Sequence, residues 1–373
     1  VPFVVAESAD DEDCDAIDAG LLLDPTTGRL WCSYGTYFGF IRLVELDPKT
    51  GKRMEGNEAL NVAIDCEATD LLYRNGWYYL LGTHGTCCDG VNSTYNIVVG
   101  RSRKVTGPYV DNVGRDMLHG GGKMVVCAEG RGVGAGHFGR YIETDGVEKM
   151  SFHWEADMDR GGYSTLVIRP LIWKNDWPVV GNMFKEGNYS IFSERRGYAL
   201  ELGVDFVRLE QERSAWWRMD TTLMRKQLPY QKLEDVKDTW KQAEDANGNI
   251  PARVGDFMMR PHQKWTIAAV PESEGYLGSL YYKIVIEGTD RALTAKGNDV
   301  STSAFRGDDT QLWRIEQCTD GTYRIMPKRV AADAPVNKTI VLASVSDSTP
   351  ALAPFDMNND NCKWNLKLLF NGK

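Results

Sequence analysis

One segment organises this sequence: Asp65-Cys66-Glu67-Ala68-Thr69-Asp70-Leu71-Leu72-Tyr73, followed by Asn75-Gly76 and Trp77-Tyr78-Tyr79-Leu80. Two apolar arms flank an Asn-Gly pair, which is the strongest short-range signal for a hairpin turn. The segment therefore predicts a buried strand, a two-residue turn and a second buried strand. Glu67 stands at the head of the first arm. A buried charge without a partner costs several kcal/mol, so this carboxylate is paired, at an exposed strand end or functional.

The same pattern occurs three times in the first half of the chain. The segment from Asp18 to Thr36 and the segment from Glu67 to Thr83 both open with an acid followed by Ala. Both continue into an apolar strand, a Gly turn and an aromatic strand that ends in Gly-Thr. A third copy runs from His137 to Trp154, so the starts are 49 and then 70 residues apart. The first half is therefore predicted to be built from repeated units.

A further strand pair is expected after each of these hairpins. The predicted segments are 40–46 then 47–51 in the first unit, 95–100 then 105–109 in the second, and 164–171 then 173–180 in the third. Four antiparallel strands in every ~50 to 70 residues are typical of the blades of a β-propeller. The innermost strand of each blade lines the central channel, so Asp18, Glu67 and His137 are expected to meet at one mouth of it.

The number of repeats also predicts a missing part. A propeller needs at least four blades, and only three units are recognisable here. Residues 1–183 are therefore expected to be the later part of a propeller, completed by an N-terminal segment or by a separate chain. The start at Val1, without an initiator Met or a signal peptide, fits an upstream segment that was removed or not included.

Three lobes that end in tryptophan organise the second half of the chain. They lead from Tyr189, Tyr282 and Tyr323 to Trp265, Trp313 and Trp364, and the tryptophans are 48 and 51 residues apart. This pattern favours a β-trefoil over residues 187–373, with the three indole rings in a shared core. The first lobe is over-long, and its excess predicts an inserted helix near 231–244. The fold class is thus all-β: a partial propeller followed by a trefoil with a helical insertion.

Composition excludes several classes of function. A net charge of −9 argues against a nucleic-acid partner, because phosphate binding needs clustered Lys and Arg. The sequence contains no apolar run of the ~20 residues that a membrane span requires. The eight Cys fit no zinc pattern, since the only close pair is adjacent. An even number of Cys in a Gly-rich, aromatic chain favours a secreted or periplasmic protein with some disulfides.

Two carboxylates at one channel mouth suggest glycoside hydrolysis. In that reaction one carboxyl group donates a proton while another activates water or attacks carbon, and the groups lie roughly 6.5–9.5 Å apart in inverting enzymes. The alternative is that Asp18 and Glu67 only terminate inner strands.

Several motifs in the right order resemble the arabinanase and arabinofuranosidase branch of glycoside hydrolase family 43. They are Asp15-Ala16-Ile17-Asp18, Glu67-Ala68, Ser93-Thr94-Tyr95-Asn96 with the strand after it, Thr106-Gly107-Pro108-Tyr109, Gly120-Gly121-Gly122, Gly136-His137 and Ile168-Arg169-Pro170-Leu171. The resemblance covers roughly residues 8–182 and implies a five-bladed propeller and an inverting mechanism. It makes Glu67 the general acid, and Asp18 the carboxylate that tunes this acid's pKa and orients the sugar.

The resemblance also implies roles for His137 and Arg169. His137 matches a histidine near a bound calcium or sodium ion or a water cluster, and waters would supply most ligands of such an ion. The alternative is a hydrogen-bonded channel histidine without a metal. Arg169 resembles a substrate-facing arginine, and the alternative is a salt bridge to Asp18 or Glu67.

The rim of the pocket is predicted from two neighbouring features. Relatives carry a pair like Cys87-Cys88, which favours a disulfide between neighbours that forms a hydrophobic floor for sugar; separate thiols or other pairings are the alternative. His84 and the pair Tyr37-Phe38 occupy matching positions after their hairpins. They are expected to line the pocket, unless they serve only blade packing.

The sequence departs from the family pattern at important positions. The family's catalytic base lies far upstream of the Asp15–Asp18 motif, and no residue here occupies it. Ala19 and Thr69 stand where Pro is common. Because an inverting enzyme needs a base to activate water, this chain alone is expected to be inactive.

Residues 187–370 resemble ricin-type lectin trefoils, either as a working lectin or as a purely structural module. The expected function is a secreted, exo-acting α-L-arabinofuranosidase that acts on arabinose side chains of plant cell-wall polysaccharides or oligosaccharides. The alternative is a non-catalytic carbohydrate-binding protein that uses the trefoil.

Overall fold

The computed structural model describes residues 16–35, 37–144, 146–182, 184–204, 243–273, 280–345 and 349–369. These residues divide into two compact units, one ending at Asn182 and the other formed by the rest of the chain. Within the described ranges the chain forms strands and three-residue 3-10 turns, so the described protein is all-β. None of its helices in those ranges is long and apolar enough to cross a membrane.

The first unit contains three consecutive four-stranded antiparallel sheets. The strands of the first sheet are Gly20–Leu23 (β1), Leu30–Tyr34 (β2), Phe40–Leu46 (β3) and Leu60–Ile64 (β4). Those of the second are Glu67–Arg74 (β5), Trp77–His84 (β6), Asn96–Ser102 (β7) and Lys123–Val126 (β8). Those of the third are Gly132–Thr144 (β9), Val147–Asp157 (β10), Tyr163–Lys174 (β11) and Trp177–Val180 (β12). In each sheet the strands pair in chain order, and the three sequence repeats correspond to the three sheets.

The hairpin around Asn75-Gly76 has the predicted form. Arg74 pairs with Trp77, so two residues make the turn. Asn75 and Gly76 have φ angles of 50° and 77°, and a turn with two positive φ angles matches the twist of the strands it joins. The prediction of a two-residue hairpin turn is confirmed.

The fourth strand of the first and second sheets lies later in the chain than predicted. Residues 47–51 form a turn, because the Asp47 carboxylate accepts hydrogen bonds from the Lys49 backbone N–H (2.9 Å) and the Thr50 hydroxyl (3.0 Å). The paired strand is β4. Residues 105–109 form no strand either; they contain the cis Gly107–Pro108 bond, and proline has no N–H to donate to a ladder. The paired strand there is β8.

Close packing brings the first strands of the three sheets side by side. A Cβ atom on Gly20 would lie only 2.3 Å from the Thr69 carbonyl oxygen, so the backbones of β1 and β5 touch. The His137 backbone N–H on β9 donates to the Thr83 hydroxyl on β6 (2.8 Å). One buried cluster joins the first two sheets through residues such as Trp31 and Leu80. Another joins the second and third sheets through residues such as Tyr79 and Phe152.

The second unit combines a closed barrel with three hairpins. Its strands are Gly187–Ser193 (β13), Ala199–Leu202 (β14), Ile250–Gly255 (β15), Trp265–Ala269 (β16), Tyr282–Ile286 (β17), Arg291–Lys296 (β18), Asp299–Ala304 (β19), Trp313–Gln317 (β20), Tyr323–Pro327 (β21), Ile340–Ser344 (β22), Pro350–Pro354 (β23) and Trp364–Leu368 (β24). Strands β13, β16, β17, β20, β21 and β24 pair in a ring that closes on itself. Pairs β14–β15, β18–β19 and β22–β23 form the hairpins.

Three tryptophans repeat the same interaction in the core of this unit. Trp265, Trp313 and Trp364 each begin the last strand of a lobe, and all three are fully buried in one cluster. Their indole N–H groups donate to the carbonyl oxygens of Leu200 (2.9 Å), Leu293 (3.0 Å) and Leu342 (2.8 Å). The prediction of a shared tryptophan core is confirmed. The predicted helix near 231–244 lies, except for its last two residues, outside the described residues.

Candidate active site

Glu67 opens β5 and carries a half-buried carboxylate. Its oxygen Oε1 accepts a short hydrogen bond from the Tyr95 phenol. The register of β5 against β6 shifts between Glu67 and Asp70, and Ala68 has a φ angle of 48°. A local irregularity of this kind turns a side chain relative to the strand, and such irregularities are frequent next to active sites. Glu67 is therefore presented by the start of an inner strand and held by one phenol.

Asp18 lies two residues before β1, and its charge acts on the same Tyr95 phenol. Its φ angle is 56°, a left-handed backbone conformation. The pKa of the Tyr95 phenol is raised, first by burial, then by the hydrogen bond to Glu67 and the charges of Glu67, Glu155 and Asp18. The structure thus gathers three carboxylates around one tyrosine. Tyr95 and Glu155 were not among the predicted site residues; Tyr95 only belonged to a quoted motif.

His137 lies beside the carboxylate cluster, at the repeat position that corresponds to Glu67. It is exposed, its φ angle is 57°, and its backbone N–H binds Thr83, the residue that pairs with Glu67. In the described ranges there is no group of three or more His, Cys, Asp or Glu side chains that could hold a metal ion. The described side chains therefore offer only part of a ligand set near His137.

Asp70 is a second acidic residue on β5 that sequence reasoning did not single out. Burial raises its pKa to about 6, although a hydrogen bond from the Leu71 backbone N–H (2.9 Å) and the charges of Arg140 and His137 act in the opposite direction. The signal in the sequence was an aspartate within an otherwise apolar strand. Its proton is exchangeable near neutral pH, and it lies three residues from Glu67.

Cys87 and Cys88 are joined by a disulfide. The backbone N–H of Cys88 donates to Oε2 of Glu155 (2.8 Å), and the other oxygen of Glu155 lies 3.1 Å from Nε2 of His153. The remaining cysteines in the described ranges are reduced: Cys32, Cys66, Cys127, Cys318 and Cys362. The disulfide between neighbours is therefore present, and the other cysteines of the described ranges form no second disulfide.

The predicted aromatic rim residues lie together. The ring centroids of Tyr37 and Phe38 are 5.6 Å apart, and those of Tyr37 and His84 are 6.5 Å apart. Phe38 is 86% exposed. His84 is the last residue of β6 and follows Thr83, which faces Glu67 across the hairpin. The cluster therefore belongs to the same end of the sheets as the carboxylates.

Arg169 is committed to partners other than the carboxylate cluster. This buried guanidinium donates to the Gly181 carbonyl (2.6 Å) and to the Asn182 side chain (3.3 Å), and it forms an ion pair with Glu129 (3.4 Å). The alternative expectation of a salt bridge to Asp18 or Glu67 is therefore wrong: the acid that Arg169 meets is Glu129. Arg169 lies on β11, the third strand of the third sheet, whereas Glu67 lies on β5, the first strand of the second sheet.

The N-terminal part of the chain matches known carbohydrate-active enzymes. Residues 4–178 match the model of glycosyl hydrolases family 43. The extracellular endo-α-(1→5)-L-arabinanase 1 of Bacillus subtilis is 35% identical over 179 residues, which cover 47% of this chain and 54% of that protein. The extracellular exo-α-(1→5)-L-arabinofuranosidase ArbA of Cellvibrio japonicus is 34% identical over 194 residues, which cover 48% and 55%.

A solved structure is also similar in sequence. The α-L-arabinanase of Cellvibrio cellulosa is 33% identical, with a TM-score of 0.42 and a coverage of 45% of this chain and 57% of that one. The chain spans about half the length of these curated relatives. Residues 4–178 are thus similar to glycosyl hydrolases family 43, and the arabinanase and arabinofuranosidase that they resemble are glycosidases.

Proposed function

We propose that this chain is the larger part of a secreted, inverting, exo-acting α-L-arabinofuranosidase that acts on arabinan or arabinogalactan side chains. The observation that carries the proposal is the grouping of Glu67 and Asp18 around Tyr95, with Glu67 at the start of β5 and Asp18 two residues before β1. Both relatives described above are called extracellular, which supports secretion.

The two acids have different roles in this proposal. Glu67 protonates the leaving glycosidic oxygen, and a water attacks the anomeric carbon from the opposite face of the sugar. Asp18 adds a nearby negative charge, and a like charge disfavours loss of the proton from a neighbouring carboxyl group. The base that activates the water comes from outside this chain. Protonation by a positioned acid contributes typically 10²–10⁴-fold to the rate.

The substrate wall is formed by the disulfide and the aromatic rim. Cys87–Cys88 supplies an apolar floor, and Tyr37, Phe38 and His84 supply ring faces, since ligand pockets are lined mainly by apolar and aromatic groups. The hydrogen bonds of Arg169 to Gly181 and Asn182 favour a structural role for that residue. A calcium or sodium ion near His137 would be held largely by water, because the described side chains offer few oxygen ligands there.

Two apolar sheet faces support an additional propeller segment as a partner. On β1, Leu22 packs into the core shared with the second sheet, so Leu21 and Leu23 point to the opposite face, where they are exposed. On β11, Val167 packs towards the second sheet, and Leu166 and Ile168 are exposed on the other face. Further four-stranded sheets in a longer protein or a separate chain would cover both faces and complete the ring.

The test is release of arabinose by the complete protein, including any segment that precedes Val1. Glu67→Gln is expected to lower the rate on natural arabinan by roughly 10²-fold or more. A nitrophenyl arabinofuranoside should be less affected, because its leaving group needs little protonation. Glu58→Gln, an exposed acid of the same unit, is the matched control. An unchanged rate on arabinan for Glu67→Gln would refute the acid assignment, and the size of the products separates exo from endo action.

The second candidate function is carbohydrate binding without hydrolysis. The closed barrel with three hairpins and three equivalent tryptophans supports a ricin-like β-trefoil. The Ala19 and Thr69 departures also favour this function. Sugar affinity that persists after deletion of residues 1–183, with no hydrolysis by the complete protein, would select it.

A further inference from the structure

We propose that Tyr95 is a positioning residue for Glu67, which assigns the acidic proton to one oxygen of this carboxyl group. The inference rests on the proposed role of Glu67 as the general acid. The Tyr95 phenol donates to Oε1, so that oxygen is occupied as an acceptor. The transferable proton is then carried on Oε2, the oxygen left available to a glycosidic oxygen. A carboxyl group without this bond could rotate and offer its proton in several directions.

Tyr95 is rigid enough to act in this way. Its side chain is only 7% exposed. Its backbone N–H lies 3.3 Å from the Ser93 hydroxyl, and its carbonyl accepts a hydrogen bond from the Ala135 N–H on β9 (3.1 Å). The residue is therefore tied to its own sheet and to the neighbouring sheet. Because the backbone N–H and the carbonyl of Tyr95 are both held, its phenol can fix the position of the Glu67 carboxyl group.

The ring of Tyr95 is backed by the third sheet. The His153 ring packs edge-on against it, with centroids 6.2 Å apart. A Cβ atom on Gly136 would lie 2.7 Å from the Tyr95 ring and 2.9 Å from the His153 ring, so only glycine leaves room for both. Glu155 holds His153 from the other side (3.1 Å) and also binds the Cys88 N–H (2.8 Å). The proposed acid and the disulfide loop are thus fixed by one chain of contacts.

The phenol has an electrostatic effect with a definite sign. A hydrogen bond donated to a carboxylate stabilises its charged form.

The experiment compares Tyr95→Phe with the unchanged protein by ¹³C NMR of labelled glutamate carboxyl groups, with Glu67 assigned by Glu67→Gln. At one fixed pH the carboxyl resonance of Glu67 is expected to move, because this group loses the hydrogen bond from the phenol. Tyr78→Phe is the matched control: Tyr78 is equally buried in the same unit, and its phenol binds Asp24 (3.0 Å). It should leave the Glu67 resonance unchanged.

Kinetics of the complete protein give a second readout. Tyr95→Phe should lower kcat/KM on arabinan roughly tenfold and affect a nitrophenyl substrate less. Loss of a purely structural tyrosine would lower kcat/KM on both substrates equally. If the Glu67 carboxyl resonance is the same in Tyr95→Phe and the unchanged protein, the proposal is overturned.

Two further results separate this proposal from the proposed function. Absence of hydrolysis by the complete protein would refute the enzyme while leaving the NMR comparison decisive for Tyr95. If Tyr95→Phe fails to fold, the ¹³Cζ resonance of Tyr95 in the unchanged protein replaces it. That resonance should differ between the unchanged protein and Glu67→Gln, because the phenol loses its carboxylate acceptor; an identical resonance in the two proteins contradicts the proposal.

Discussion

Asp70 and Asp24 are two carboxyl groups of the first unit whose pKa values are shifted in opposite directions. Burial raises the pKa of Asp70 to about 6, and only one backbone N–H opposes this effect directly. Burial also acts on Asp24, but hydrogen bonds from Thr27, Thr26 and Tyr78 leave its pKa below the usual value. The charged form is thus disfavoured at Asp70 and favoured at Asp24. The two residues should respond to pH with opposite signs.

Asp70→Asn tests this difference through the free energy of unfolding. In the unfolded chain Asp70 loses its proton near pH 4, whereas in the folded protein it keeps the proton to about pH 6. Its contribution to stability therefore falls as pH rises from about 4 to 6, by roughly 3 kcal/mol. The variant should lack this fall and be more stable than the unchanged protein at pH 7. Urea unfolding at several pH values measures it.

Asp24→Asn is the matched control with the opposite sign. The folded pKa of Asp24 is lowered, so its stabilising contribution is present above the unfolded pKa and is lost as pH falls. The variant should be destabilised at pH 7 and less so at low pH. If both variants change stability in the same direction at pH 7, the environment assigned to Asp70 is wrong.

At the level of elements, the hairpin β5–β6 carries Glu67 at its far end, so its turn sets the register of the site. Gly76→Ala should destabilise the protein by about 1 kcal/mol, because Gly76 has a φ angle of 77° and a side chain is strained there. Asn75→Gly should be nearly neutral, since glycine tolerates the φ angle of 50° at that position. Chemical denaturation compares the two, and equal losses would show that the turn conformation does not matter.

Strand periodicity and turn chemistry made part of this fold predictable. The repeats gave the three hairpins of the first unit and the tryptophan core of the second, because both are encoded within short segments. Strands β4 and β8 were missed, since each follows a long loop and contributes few residues. The composition of residues 105–109 resembled that of a strand. Only the position of Pro108 along the path of the chain excludes this segment from the sheet.

The site was predictable only where the repeat marks it. Asp18, Glu67 and His137 share a position relative to their hairpins, so alignment of the chain with itself finds them. Tyr95 directly precedes β7 of the sheet that carries Glu67, whereas His153 and Glu155 come near Tyr95 only when the second and third sheets pack together. Contacts of that kind depend on the angle between sheets, which no local pattern contains.

At the scale of the molecule, the outer sheet faces of the first unit should make this chain associate. Leu23 is 60% exposed on β1 and Leu166 is 73% exposed on β11, and exposed apolar patches commonly mark interfaces. The double variant Leu23→Lys, Leu166→Lys should therefore sediment as smaller species than the unchanged chain at high concentration. Val113→Lys, at an exposed site of the same unit outside these two strands, should not change sedimentation. Identical sedimentation of all variants would argue against a partner at these faces.

The bond between Cys87 and Cys88 encloses no other residue. A disulfide restricts the unfolded chain more when the loop that it closes is longer, and here there is almost no loop to close. Reduction of the Cys87–Cys88 bond by a thiol should leave the melting temperature of the protein nearly unchanged. It should also replace one apolar surface with two thiols beside Glu155. On the proposed function, the redox state of the solution would then change the affinity for sugar and not the stability of the fold. Culture conditions would therefore alter sugar binding in a preparation that is equally well folded.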